Sequence, residues 1–132
     1  MGVQNKLILV VEDEPAIREM LRFALTRAEF RVAEAGSAQD ARLQIAEQRP
    51  DLILMDIKMP RMDGVAATRA IRALAGPAGK TPIIALTANA DPEDAAGYIA
   101  AGMIGVVEKP MKPENLLRAL QQALSPGDAQ AA

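Results

Sequence analysis

Five polar side chains each stand directly after a short apolar run or two residues beyond one: Glu12, Asp13, Asp56, Thr87 and Lys109. Together they offer carboxylates, a hydroxyl and an ammonium group. Carboxylates can hold a divalent cation, and a metal with an ammonium group can neutralise the charge that develops on phosphoryl oxygens. A hydroxyl can donate a hydrogen bond to one of those oxygens. The set therefore predicts transfer of a phosphoryl group onto a carboxylate.

Taken singly, most of these residues have simpler explanations. Glu12 and Asp13 come just before a proline, where acids complement the N-terminus of a helix. Thr87 alone is typical of a turn or a cap, and Lys109 alone is typical of a solvated surface charge. Asp56 differs, because four apolar residues place it at the end of a buried strand. A buried carboxylate among other acids is costly, and a bound Mg²⁺ would relieve the repulsion.

Two apolar patterns alternate along the chain and predict the elements that position these side chains. Continuous apolar runs favour strands that are buried on both faces of a parallel sheet. The predicted strands are 7–11, 31–35, 52–55, 83–86 and 105–107. Apolar residues at helical spacing lie between and after them, as in Ile17, Met20, Leu21, Ala24 and Leu25. The alternation predicts an α/β fold with a doubly wound, parallel, five-stranded sheet.

Local signals mark where the helices begin and end. Pro15 and Pro113 suit a first helical turn, which tolerates a missing N–H group. Ser37 is a predicted N-cap, and Asp91 begins an acidic stretch that indicates another helix start. Gly102 is well placed to end that helix.

Three segments are predicted to carry no chemistry. The second strand ends in Ala35 and Gly36 and offers no functional group at its exit. Residues 75–79 are predicted to form a flexible loop inside the domain. Residues 125–132 are predicted to form a flexible C-terminal tail, which leaves 6–124 as one domain.

Composition excludes several classes of function. The sequence has no cysteine and no histidine, which excludes disulfides, thiolate metal sites and a Ser-His-Asp triad. Fifteen basic and seventeen acidic residues give a net charge of −2, which disfavours direct binding to nucleic acid. The run 7–11 is too short for a membrane span or a signal peptide. We therefore expect a cytoplasmic protein without membrane insertion.

Four motifs at the predicted strand ends carry a family resemblance. They are Val10-Val11-Glu12-Asp13-Glu14, Asp51-Leu52-Ile53-Leu54-Met55-Asp56 with Met59-Pro60 and Met62-Asp63-Gly64, Ala85-Leu86-Thr87-Ala88, and Glu108-Lys109-Pro110. In this order over 6–124, they resemble the receiver domain of two-component response regulators. Such a domain is a phospho-accepting signalling switch and not primarily an enzyme.

The resemblance implies a flavodoxin-like sheet with strand order 2-1-3-4-5 and a Mg²⁺ cofactor. It implies that Asp56 takes a phosphoryl group from a phosphohistidine of a histidine kinase or a histidine phosphotransfer protein. Mg²⁺ would be held by Asp13, Asp56 and the backbone carbonyl of Lys58, with Glu12 acting through water.

The same resemblance assigns the response to phosphorylation. Thr87 would be the switch hydroxyl and Lys109 the cation that pairs with the phosphoryl group. The fourth helix, fifth strand and fifth helix would then change their partner binding, in a monomer or a phosphorylation-dependent dimer. The bond between Lys109 and Pro110 would be cis by analogy. Slow autodephosphorylation is expected.

Several positions depart from the family pattern. Val106 stands where an aromatic residue is common, so a Tyr- or Phe-type readout on the last strand is not expected. Tyr98 on the preceding helix is expected to pack there. Glu12 stands where Asp is frequent, and its longer stem suits an outer-sphere role. Lys58 and Asn89 occupy positions that tune the lifetime of the phosphoryl group.

Two other classes of function compete with this interpretation. A haloacid-dehalogenase-type phosphatase also uses an aspartyl nucleophile, but it needs an acid two residues later, where this chain has Lys58. An interaction module without phosphorylation would usually lose the acids or the lysine, and none is lost here. The motifs are compatible with a stand-alone protein, with a piece of a hybrid histidine kinase, and with a receiver that precedes a DNA-binding domain.

Overall fold

Alternating strands and helices build a layered α/β fold. The computed structural model describes residues 5–59, 62–74, 76–88, 91–109 and 112–124. Its main elements are β1 Leu7–Val11, α1 Pro15–Arg27, β2 Arg31–Ala35, α2 Ala38–Glu47, β3 Leu52–Asp56, α3 Gly64–Arg72, β4 Ile83–Thr87, α4 Pro92–Ala100, β5 Gly105–Glu108 and α5 Pro113–Leu124. The five strands are parallel and lie in the order β2-β1-β3-β4-β5, which confirms the predicted architecture.

The continuous apolar runs are explained by burial on both faces of the sheet. Every residue of β1, β3 and β4 is buried. Successive side chains of a strand point to opposite faces, so Ile8 and Val10 lie in one apolar cluster and Leu9 and Val11 in the other. A strand covered on both sides has no polar face, and alternation is therefore lost from its sequence.

Helices cover the two faces unequally. Leu21 of α1 and Leu116 of α5 pack in the cluster that contains Ile8. Ile45 of α2, Ile71 of α3 and Tyr98 of α4 pack in the cluster that contains Leu9. Tyr98 is 9% exposed, so it packs into the core as predicted.

The predicted helix boundaries are confirmed by their hydrogen bonds. Prolines begin α1, α4 and α5. The Asp40 N–H donates to Ser37 Oγ at 3.1 Å, and the Asp94 N–H donates to Asp91 Oδ1 at 3.0 Å. Beyond α4, Gly102 has a φ of 115°, a left-handed conformation that favours glycine.

Two local features differ from the predictions. Gly76–Lys80 forms a 3-10 helix where the sequence predicted a loop over 75–79, and residue 75 lies outside the described residues. Thr81 holds the end of this helix, because its hydroxyl donates to the carbonyl of Ala78 at 3.0 Å. A short antiparallel pair, Lys58–Met59 with Met62–Asp63, was also not predicted. The predicted tail 125–132 lies outside the described residues.

Arg72 joins the 3-10 helix to the turn after α4. Its Nη1 donates to the carbonyls of Gly79 at 3.0 Å and Thr81 at 2.6 Å. Its Nε and Nη2 donate to the carbonyl of Gly102 at 3.1 and 2.6 Å. One guanidinium therefore serves three carbonyls from segments that are distant along the chain.

Among the helices of the described residues, none combines the length and the apolar character that crossing a membrane requires.

We expect Arg72→Gln to lower the free energy of unfolding by about 2 kcal/mol, because hydrogen bonds from a charged donor are lost and three carbonyls lose their partner. Urea unfolding measures this change. Arg69 is exposed on the same helix, and Arg69→Gln is the matched control, with an expected change within about 0.5 kcal/mol. Equal effects of the two substitutions would contradict the role assigned to Arg72.

Candidate acidic site at the strand ends

The carboxyl ends of the parallel strands bring the predicted site residues to one edge of the sheet. Asp56 is the last residue of β3, and Thr87 is the last residue of β4. Glu12 and Asp13 follow β1 directly, and Lys109 follows β5 directly. Crevices at this edge are where open α/β sheets bind ligands.

Lys109 links two buried carboxylates. Its Nζ lies 2.9 Å from Asp56 Oδ1 and 3.4 Å from Glu12 Oε1. Asp56 is 2% exposed and Glu12 is 1% exposed, whereas the side chain of Lys109 keeps 20% of its surface accessible. The ammonium group therefore stands between the buried acids and the solvent.

The acids form a cluster that fits a hard divalent cation. Glu12, Asp13 and Asp56 each offer a carboxylate oxygen, and these oxygens all lie within 4.8 Å of one another. All the donors are oxygens, the ligands that Mg²⁺ prefers. Among the described side chains, the Lys109 ammonium group contacts two of these three carboxylates, and a divalent cation would offset the remaining negative charge.

Glu12 has an unusual pKa because it is buried and lies beside another acid. Burial, followed by the charge of Asp56, raises the pKa of Glu12 from its ordinary value of 4.5 to about 7. Lys109 and the N–H of Glu14 oppose the rise without cancelling it. Burial alone would lower the pKa of Lys109, but the hydrogen bond to Asp56 and the charge of Glu12 outweigh it and raise that pKa. Lys109 therefore stays charged at neutral pH.

The backbone of Glu12 is held from two sides, which the sequence did not reveal. Its N–H donates to the carbonyl of Ala35 on β2 at 3.0 Å, and its carbonyl accepts from Arg18 Nη1 at 2.9 Å. Arg18 Nε in turn lies 3.4 Å from Glu34 Oε1, also on β2. As predicted, β2 ends at Ala35 without a functional side chain at its exit. Glu34, within β2, pairs with Arg18, and Arg18 binds the loop after β1.

Gly64 allows the start of α3 to approach the end of β3. Its N–H donates to the carbonyl of Ile57 at 2.9 Å. A Cβ at residue 64 would lie 2.4 Å from the carbonyl oxygen of Asp56 and 2.8 Å from the Cα of Ile57. Only glycine fits this approach. The signal in the sequence was the Met62-Asp63-Gly64 motif, but no pattern predicted its contact with Asp56.

Thr87 and Lys109 are connected through the backbone. The Lys109 N–H donates to the carbonyl of Thr87 at 2.7 Å, which continues the ladder between β4 and β5. Thr87 is buried, with 3% exposure. Asn89, Pro110 and the side chain of Lys58 lie outside the described residues, so the predictions that concern them stay predictions.

Known proteins match this fold along most of its length. A family model for the response regulator receiver domain matches residues 8–121. The DNA-binding response regulator MtrA of Mycolicibacterium smegmatis is 36% identical over 124 residues, which cover 94% of this chain and 53% of that protein. The chain spans about half the length of curated relatives such as MtrA.

Solved structures agree with the fold. The chemotaxis protein CheY4 of Vibrio cholerae is similar, with a TM-score of 0.84, 34% identity and coverage of 90% of this chain and 98% of that one. The receiver domain of the sensor histidine kinase PA1611 from Pseudomonas aeruginosa has a TM-score of 0.81 and 38% identity, with coverage of 91% and 98%. That structure has a magnesium ion coordinated in its active-site cleft.

In metal-free protein, we expect Glu12 to make stability fall as the pH rises from about 4.5 to about 7. The folded state binds the Glu12 proton more tightly than the unfolded state does, so ionisation within this range costs folding free energy. Urea unfolding of wild type and Glu12→Gln in EDTA measures the effect. The wild type should lose stability relative to the variant between pH 5 and pH 8. A difference that does not change with pH would contradict the assignment.

Proposed function

The chain belongs to the response regulator receiver domains, the signalling domains that two-component systems phosphorylate on aspartate, and on that premise we propose that Asp56 is the phosphorylated residue. The observation that carries the proposal is the position of this carboxylate. It ends the central strand of the sheet, with Lys109 Nζ 2.9 Å from its Oδ1 and two further acids close by. This arrangement suits an oxygen that must accept a highly charged group.

The phosphoryl donor is a phosphohistidine of a histidine kinase or of a histidine phosphotransfer protein. A carboxylate oxygen of Asp56 attacks the phosphorus, a P–O bond forms and the P–N bond to the imidazole breaks. The departing imidazole takes up a proton. The 132 residues contain no histidine, so the donor ring comes from outside them.

The acidic cluster supports a role for Mg²⁺ in this transfer. Asp13, Asp56 and the backbone carbonyl of Lys58 would hold the ion, and Glu12 would act through a bound water. When bound, Mg²⁺ supplies positive charge beside the phosphoryl oxygens. Burial is the main cause of the raised pKa of Glu12, and the nearby charge of Asp56, which adds to it, would be offset by a bound cation.

Lys109 and Thr87 convert phosphorylation into a conformational change. Phosphorylation replaces the single negative charge of the Asp56 carboxylate by a phosphoryl group with about −1.5 to −2 charges, which favours a shift of the Lys109 ammonium toward the phosphoryl oxygens. The Thr87 hydroxyl donates to another of these oxygens. Because the backbone of Lys109 is hydrogen-bonded to Thr87, the two residues transmit the change to β4 and β5 together.

The outer face formed by α4, β5 and α5 carries the signal to a protein partner. Ile99 and Ile104 are about half exposed at this face. Val106 is half-buried and packs against the core cluster that contains Tyr98. Because residue 106 is valine, the conformational change does not include the reorientation of an aromatic side chain at this position. The phosphorylated population binds the partner with a different affinity from the unphosphorylated one, and the domain slowly hydrolyses its own phosphoryl group.

The partners of this domain are proteins. MtrA is a DNA-binding response regulator, but the present chain spans only about half of it. A net charge of −2 gives the receiver itself no basic surplus for contact with nucleic acid.

We expect Asp56→Asn to abolish phosphorylation, since an amide oxygen cannot accept the phosphoryl group to form a stable adduct. Intact-mass spectrometry after incubation with acetyl phosphate and Mg²⁺ should find one phosphoryl group on the wild type and none on the variant. Asp51→Asn is the matched control, because Asp51 lies just before the opposite end of β3. The side-chain oxygen of Asn can still accept the hydrogen bond that the Leu7 N–H donates to Asp51. Equal labelling of wild type and Asp56→Asn would refute the proposal.

We expect Thr87→Ala to separate phosphorylation from its response. The variant should take up beryllofluoride with Mg²⁺, because Asp56 and Lys109 remain. The amide shifts that beryllofluoride causes in β5 and α4 should be reduced to less than about half of those in wild type, because the hydroxyl donor is lost. NMR spectra measure the shifts. Thr87→Ser keeps the hydroxyl and should respond like wild type, and a full response from Thr87→Ala would show that Thr87 is not the switch.

A further inference from the structure

A cluster of ion pairs lies beside the acidic site. Arg18 on α1 lies 3.4 Å from Glu34 Oε1, and Arg22, one turn later, lies 2.7 Å from Glu34 Oε2. The two arginines differ in their surroundings, because the side chain of Arg18 is 24% exposed and that of Arg22 is 60% exposed. The phosphoryl transfer proposed above uses neither of them.

Only one of these arginines has a hydrogen bond to the loop after β1 among the contacts of the described residues. Arg18 Nη1 donates to the carbonyl of Glu12 at 2.9 Å. This carbonyl belongs to the peptide unit that joins Glu12 to Asp13. Because a peptide unit is planar, a donor that fixes its oxygen also fixes the direction in which Asp13 leaves the strand.

Glu34 holds Arg18 in the orientation that makes this bond. The guanidinium presents several N–H groups in a rigid fork, so Nε can face Glu34 while Nη1 faces the Glu12 carbonyl. The guanidinium has room because residue 36 is glycine: a Cβ there would lie 3.0 Å from Arg18 Nη1. Strand β2 thus supplies the carboxylate that orients Arg18, and the glycine directly after β2 leaves the gap that Arg18 occupies.

We propose that Arg18 is a positioning residue for Mg²⁺, which holds the peptide between Glu12 and Asp13 so that both carboxylates face Asp56. This inference rests on the proposed function, because it concerns the same metal site. Residues that orient metal ligands typically influence affinity by about 10-fold to 100-fold when they are changed.

The sign of the effect separates positioning from charge. Arg18 is a cation close to an acidic site, and by Coulomb's law alone its removal would make the site bind Mg²⁺ more tightly. Loss of positioning would weaken Mg²⁺ binding, because Asp13 would no longer be held in its orientation. A weaker affinity therefore cannot come from the lost charge.

The test is an NMR titration of the metal-free full chain with MgCl₂, following the amides of the loop after β1. We expect Arg18→Gln to raise the dissociation constant for Mg²⁺ about 10-fold. Arg22→Gln is the matched control, since it removes the same charge from the same ion-pair cluster but leaves the Glu12 carbonyl with its donor. Its dissociation constant should stay within about twofold of wild type.

An unchanged or lower dissociation constant for Arg18→Gln would overturn the inference while leaving the proposed function intact. Equal weakening by both substitutions would also overturn it. Failure of the wild type to bind Mg²⁺ would overturn the proposed function and this inference together. Unfolding curves in EDTA show whether Arg18→Gln is folded. If Arg18→Gln does not fold, Arg18→Lys is tested in its place, because lysine keeps the positive charge but lacks the forked guanidinium. Weaker Mg²⁺ binding by Arg18→Lys would support the inference. Wild-type affinity would refute it.

Discussion

The structure depends on one electrostatic constraint, the burial of carboxylates at the carboxyl edge of a parallel sheet. Glu12 and Asp56 are almost inaccessible to solvent, and the ammonium group of Lys109 contacts both. Buried charges are tolerated when they are paired and hydrogen-bonded. Among the described side chains the pairing is incomplete, because Lys109 contacts two of the three clustered acids. A site of this kind would bind an added cation favourably.

The surrounding scaffold serves to keep that crowded arrangement in place. Helices cover both faces of the sheet and bury every residue of β1, β3 and β4, so these strands cannot slide without exposing apolar side chains. Gly64 lets α3 press against the end of β3, and Arg18 and Ala35 hold the backbone of Glu12. The contact of Ala35 with Glu12 joins two different strands, whereas Gly64 and Arg18 each hold a residue less than ten positions earlier in the chain. The backbone hydrogen bond between Lys109 and Thr87 likewise joins the end of β5 to the end of β4.

Most of the fold could be predicted because its signals are local. The apolar runs at β1 and β3, the Ser37 cap and the left-handed Gly102 all act within a few residues. Thr87 and Asp56 proved to be the last residues of their strands, one beyond the predicted ends, because ladder hydrogen bonds continue past the apolar run. The 3-10 helix at Gly76–Lys80 was missed, since the guanidinium that binds it comes from α3.

The sequence by itself determined the parallel α/β class, and its motifs at the strand ends determined which side chains could do chemistry. Periodicity and strand-end position are properties of neighbouring residues, so they can be read without coordinates. Only the tertiary structure decided that Lys109 contacts both Glu12 and Asp56, and that Arg18 and Glu34 support the acidic loop. Those contacts join residues from separate strands and helices. Their geometry depends on the strand register and on how the helices pack, and no local pattern encodes that information.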